Sequence, residues 1–168
     1  MDEPRWLDAE QQRAWRALLV FVERGLPEIE RTMKEHDLLV VHFSILVALS
    51  EAPDRTMRLT DLADAANVSP SRLTHRLRTL TERRDVTIAA DPQDGRAKRA
   101  SLTATGRQRL EEVAQPHAQD VLRLVFDHLG PAETTVVADA LSKVAAGLCD
   151  HPAFLATQPS TTGGPTGA

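Results

Sequence analysis

The sequence predicts a mainly α-helical fold carrying one small β-hairpin. Three observations predict it. Apolar residues recur at three- and four-residue steps over most of the chain. That rhythm is interrupted once, between residues 86 and 102, by short strand-like runs around an Asp-Pro and an Asp-Gly pair. The composition, 42% hydrophobic and 4% aromatic over 168 residues, is that of an aliphatic, helix-rich globular chain rather than a disordered one.

Trp15, Leu18, Leu19, Val22, Leu26, Ile29 and Met33 draw one apolar face along a helix over residues 8–34. Its nearly seven-residue spacing also suits a seam between two chains. Pro27 sits inside this run and is expected to kink it or to mark a boundary near Gly25. A second helix, about residues 40–50, is apolar nearly all round (Val40, Val41, Phe43, Ile45, Leu46, Val47, Leu49), the signature of a buried central helix. Glu51-Ala52-Pro53-Asp54 ends it, and Met57-Arg58-Leu59 reads as a short strand.

Thr60 is expected to cap a short helix over residues 61–66, and Asn67 suits a left-handed turn. Ser69 then caps and Pro70 opens a helix running to about Arg84. Leu73, Leu77 and Leu80 line its inner face, which leaves Ser71, Arg72, Thr74, His75, Arg76 and Arg78 on the rest. Two short helices around a tight turn, the second with polar and basic exposed residues, are the layout of a helix-turn-helix. A hairpin comes next, with strands at 86–90 and 98–102 and a polar, basic tip at 91–96. Thr103 caps a long helix whose apolar side carries Leu110, Val113, Val121, Leu124, Val125 and Leu129, with a bend expected at Pro116. After Gly130-Pro131 a last helix carries Val136, Val137, Leu141, Val144 and Leu148. Residues 156–168, rich in Pro, Gly, Ser and Thr, are expected to be disordered.

Charge is distributed unevenly. Ten basic residues against four acidic ones give residues 72–109 a net charge of +6, which leaves −10 for the rest of a chain whose total is −4. The pattern points to a basic face on an acidic body. Other classes find no support. No run approaches the roughly 18 apolar residues of a membrane span, and the amino terminus lacks the layout of a signal peptide, so a cytoplasmic chain without membrane association is expected. The single Cys149 excludes an intramolecular disulfide. His36 and His42 are six apart, off a common helix face, so no metal site is expected. No nucleophile elbow, phosphate loop or metal-hydrolase signature is present, so neither a catalytic site nor a cofactor is expected.

Three stretches carry a family resemblance: Leu59-Thr60-Asp61-Leu62-Ala63, then Val68-Ser69-Pro70-Ser71-Arg72-Leu73-Thr74, then Asp91-Pro92-Gln93-Asp94-Gly95-Arg96 followed by Leu102-Thr103-Ala104-Thr105-Gly106-Arg107. In these the chain resembles the MarR family of winged helix-turn-helix regulators, over about residues 9–148. The resemblance implies a winged lobe at 38–102 and dimerisation helices at 8–34 and 103–150. It implies a homodimer acting on double-stranded DNA, as a repressor on a palindromic operator. It also implies release by a small aromatic or phenolic ligand held between the dimer helices and the lobe. Trp15, Leu19, His42, Phe43 and Leu46 are the candidate lining residues. His42 has an alternative reading as a buried histidine bonded to backbone or water. The sequence departs from the family at Arg84 and Asp85, where a glycine and an apolar residue are usual, and at Thr87, Ile88 and Ala89, which lack the arginines often found there.

DNA chemistry assigns the basic face. A recognition helix enters the major groove by its amino-terminal end. Ser69 and Ser71 sit where free helix amides meet a phosphate. Arg72 and Arg76 are each able to fork onto a guanine, the alternative being that one or both touch only phosphate; Arg72 is placed near base edges with Thr74 and His75 beside it, and Arg76 and Arg78 near phosphates. By resemblance Arg96 enters the minor groove, with Asp94 holding the turn and Lys98 and Arg99 as the substitute cations. The alternatives are a winged-helix protein–protein module and a DNA binder without a ligand.

Overall fold

A computed structural model of the chain describes residues 4–148. Cys149 and the segment 156–168 lie outside the described residues.

Helix α1 (Ala9–Val20) starts with a reciprocal cap: Asp8 Oδ1 accepts the Gln11 N–H at 2.8 Å, and Gln11 Oε1 accepts the Asp8 N–H at 3.1 Å. Pro27 does not break the helical run. The chain passes through one π-helical turn (Phe21–Gly25) into α2 (Leu26–Glu35), with right-handed helical angles on both sides. Within that turn the Leu26 N–H reaches back five residues to the Phe21 carbonyl. A proline lacks the N–H of the next helical bond and crowds the carbonyl four residues before it, and a widened turn relieves both faults. The expected boundary near Gly25 is therefore a bulge in a continuous helix.

Helix α3 (Val40–Glu51) runs through the core and buries His42, Ile45, Leu46, Ala48 and Leu49. Around it pack α2, α4 (Leu59–Ala65), α5 (Pro70–Glu82), α6 (Ala104–Leu124) and a three-stranded antiparallel sheet. The sheet order is β1 (Thr56–Arg58), β3 (Asp94–Leu102), β2 (Val86–Asp91). Met33, Leu38, Leu62, Leu73, Leu77, Leu80, Val86 and Val113 complete a single aliphatic core. The start of α4 differs from expectation. Leu59 belongs to the helix rather than the strand, Arg58 is the cap residue, and the Thr60 hydroxyl bonds Asp61 instead of capping. Asn67 takes the left-handed conformation the tight turn requires, at φ 51°.

The two long apolar seams divide. Ile29 and Met33 of the first, and Leu110 and Val113 of the second, enter the core. Trp15, Leu18 and Val22, and on α7 (Pro131–Ala146) Val136, Leu141 and Val144, stand exposed. Neither α1 nor α7 buries any residue. Helix α6 continues through Pro116 as one element and ends at Leu124, short of the expected Leu129, in a 3₁₀ turn at Phe126–His128.

One junction locks the winged lobe onto α6. Thr103 caps α6 by accepting the Gly106 N–H at 3.0 Å, while its hydroxyl donates to the carbonyls of Arg84 (2.6 Å) and Asp85 (3.0 Å). A Cβ on Gly106 would collide with the Asp85 carbonyl, so only glycine admits the approach. This is the physical content of the Leu-Thr-x-x-Gly run.

Candidate nucleic-acid interface

Helix α5 is presented as a recognition helix by its own patterning. Leu73, Leu77 and Leu80 anchor one face in the core, and Ser69 caps the start by accepting the Arg72 N–H at 3.4 Å. Ser71, Arg72, Thr74, His75 and Arg78 stand exposed and Arg76 is half-buried. The Thr74 hydroxyl donates to the Pro70 carbonyl at 3.0 Å, which leaves it an acceptor toward solvent. On the wing, Arg96 and Lys98 are exposed, and Asp94 Oδ1 accepts the Arg96 backbone N–H at 3.0 Å. Asp94 therefore fixes the turn and the Arg96 backbone, while the Arg96 guanidinium is left to solvent.

The ten cations of this segment separate into two groups. Arg83 pairs with Asp37 at 3.1 Å, Arg107 with Glu111 at 2.6 Å and Arg109 with Asp85 at 3.1 Å. Arg99 lies 3.7 Å from Asp91, at the end of β2 where the tip turn begins. The exposed Arg78–Glu82 pair, at 3.8 Å, is too weak to withhold Arg78 from a phosphate. Arg72, Arg76, Arg84, Arg96 and Lys98 make no ion pair among the described residues. The unpaired charge thus lies on the recognition helix, at its end and on the wing.

Sequence reasoning missed Asp91 and Arg58. The Asp91 carboxylate is fully buried, accepts the Gln93 N–H at 2.9 Å and accepts Arg58 Nε at 2.7 Å. The Gln93 amide first, and the Arg58 guanidinium next, hold its carboxyl below the ordinary carboxylate range despite burial. Locally Asp91-Pro92 reads as plain turn chemistry. Its partner arrives only when β1 pairs with β3.

Of the five candidate ligand residues, Trp15 and Leu19 lie on α1 and His42, Phe43 and Leu46 on α3. Leu46 is fully buried in the core, and the Phe43 ring meets His117 at 4.7 Å. His42 alone of the five lines a crevice of about 310 Å³, with Lys34, Asp37, Leu38, Leu39, Arg76, Thr79 and Arg83. His42 is 3% exposed, and neither ring nitrogen meets a protein hydrogen-bond partner among the described residues. Burial first, then Arg76 and Arg83, pushes its pKa down against the opposing pull of Asp85 and Asp37. His42 is buried, as the second reading expects, but no backbone group among the described residues bonds its ring.

No family model and no curated protein matches the chain. Solved structures do. A MarR family transcriptional regulator of Streptomyces coelicolor, crystallised in complex with DNA, is 33% identical with a TM-score of 0.83, over 90% of this chain and 98% of that one. The chain belongs to the MarR family of transcriptional regulators. AbsC, another MarR family regulator of S. coelicolor, is 32% identical with a TM-score of 0.81, over 86% of this chain and 98% of its own. Bordetella bronchiseptica BpsR, described with regulation of its DNA binding by 6-hydroxynicotinic acid, shares the fold at 24% identity and a TM-score of 0.67, over 79% of this chain and 98% of its own. Against the MarR pattern the departures at Arg84 and Asp85 have local explanations. Arg84 adopts φ 62°, the left-handed conformation a glycine takes without strain. Asp85, in the apolar position, is buried and answered by Arg109. No described helix is long and apolar enough to cross a membrane, and no described trio of His, Cys, Asp or Glu is arranged to hold a metal.

Proposed function

We propose that this chain is a sequence-specific DNA-binding repressor that acts as a homodimer on a palindromic operator. The observation that carries the reading is the gathering of unpaired cations on one helix face and one wing, in a chain 33% identical to a MarR family regulator crystallised with DNA. The exposed apolar faces of α1 and α7 support the dimer, because such faces are covered in the working state of most proteins. Two-fold symmetry then sets two recognition helices about one helical turn of DNA apart, roughly 34 Å, which favours a palindrome. Arg72 discriminates bases, Arg76 and Arg78 touch phosphates, and Arg96 reads a narrow minor groove.

Release by a small aromatic or phenolic acid belongs to the same reading, with its site moved to the crevice around His42. The unpartnered, buried imidazole beside Lys34, Arg76 and Arg83 supports that placement. Fluorescence anisotropy with the DNA upstream of the gene tests both parts. Saturable binding that resists random competitor DNA, at two chains per site, is expected. Binding no tighter than to random DNA contradicts the reading. Release by an aromatic carboxylic acid that His42→Ala leaves unchanged moves the ligand elsewhere. No release by any member of such a panel leaves a ligand-independent repressor.

A further inference from the structure

Asp91 ties together every strand of the wing. It ends β2 at an irregularity in the β2–β3 register between Ala90 and Asp91. Its Oδ1 closes the tip turn on the Gln93 N–H, and its Oδ2 holds Arg58 of β1 at 2.7 Å and lies 3.7 Å from Arg99 of β3. Arg58 and Arg99 are register partners across the β1–β3 pair. Two like charges directly opposite each other repel, and a single buried carboxylate between them reverses the sign of that contact. Arg58 is also the cap residue of α4, the first helix of the helix-turn-helix. The same carboxylate therefore joins the tip of the wing to the start of the motif that carries the recognition helix.

Resting on the DNA-binding reading, we propose that Asp91 is a positioning residue for DNA recognition. Through Arg58 and Arg99 it sets the reach of the wing relative to α5, so that Arg96 and Arg72 engage one site together. It need not touch DNA itself, since its side chain is fully buried. Arg96 comes five residues later, on a turn whose two ends are fixed by the Asp91 and Asp94 carboxylates. Without the clamp the turn retains its local bonds, but its angle to the lobe is no longer imposed.

The test is a double-mutant cycle on the full chain, using operators with A·T-rich or G·C-rich flanks. Asp91→Asn keeps the shape and an acceptor oxygen and removes the charge. It is expected to weaken binding about tenfold, close to the loss in Arg96→Ala, and to erase the preference for A·T-rich flanks. Asp91→Asn combined with Arg96→Ala is expected to be no weaker than Arg96→Ala alone. A purely structural role would lower the melting temperature and leave flank preference intact. Arg58→Lys, which keeps the cation and loses the Nε geometry, carries the same expectation and serves if Asp91→Asn does not fold. Losses that multiply in the double variant, or a flank preference that survives, overturn the clamp while leaving the DNA reading in place. Failure of the wild-type chain to prefer any operator overturns both.

Discussion

Asp85 is a carboxylate with no exposure, and among the described residues its only side-chain hydrogen bond is the 3.1 Å contact from Arg109. A buried pair of this kind adds little net stability over an apolar pair, but one member left alone costs a great deal. Arg109→Met is expected to destabilise the fold by about 3–5 kcal/mol in urea unfolding. Pairing it with Asp85→Val is expected to recover most of that loss. A single-variant cost near zero would mean that the carboxylate reaches solvent. The buried His42 and the half-buried His117 give a second expectation at this scale. Burial lowers the pKa of both His42 and His117. Below about pH 6.5 the unfolded chain takes up protons that the folded chain resists. Stability is therefore full above that pH and falls as pH drops through the lower folded values, by at most about 1.4 kcal/mol per pH unit for each histidine. Urea midpoints at pH 7.5, 6.5 and 5.5 check this, and a combined His42→Gln, His117→Gln variant should flatten the decline.

Among the elements, the junction of wing and α6 is the most exacting. Gly106→Ala is expected to cost about 1–3 kcal/mol, because the new methyl must displace a backbone carbonyl rather than a mobile side chain. A thermal melt unchanged by that substitution would contradict the packing described. The element level is also where the sequence was most legible. Periodicity located each long helix, and Ser69-Pro70 and Thr103 marked helix starts correctly because a cap is a local bond. Thr60 misled because β1 is ended by its pairing with β3, which carries Arg58 rather than Thr60 into the cap position. Pro27 marked a boundary that does fall at Gly25, though a π turn carries the helical run across it without a break. The recognition helix and wing tip were readable from their own residues. The Asp91–Arg58 contact was not, since its partners are 33 residues apart and meet only when β1 joins the sheet.

At the scale of the molecule, α1 and α7 hold apolar faces that one chain leaves open. Leu141→Asp is expected to give monomers in sedimentation at micromolar concentration and to abolish operator binding, while the winged lobe keeps its fold. A variant that stays dimeric would move the interface off α7. Net charge is −4, so attraction to DNA rests on the local field of the recognition helix and wing rather than on the whole protein. That makes binding a matter of counted phosphate contacts, each contributing about −0.9 to the slope of log K against log salt. The salt dependence of operator binding is the most direct measurement of the central claim. A steep slope is expected, reduced in magnitude by about 1.8 in either Arg76→Ala or Arg78→Ala, since each removes two phosphate-neutralising cations from a dimer. Arg107→Ala, taken from an ion pair on α6, should leave the slope unchanged. A nearly flat slope for the wild type, or one that Arg107→Ala alters as much as Arg78→Ala, would contradict the assignment of this face to DNA.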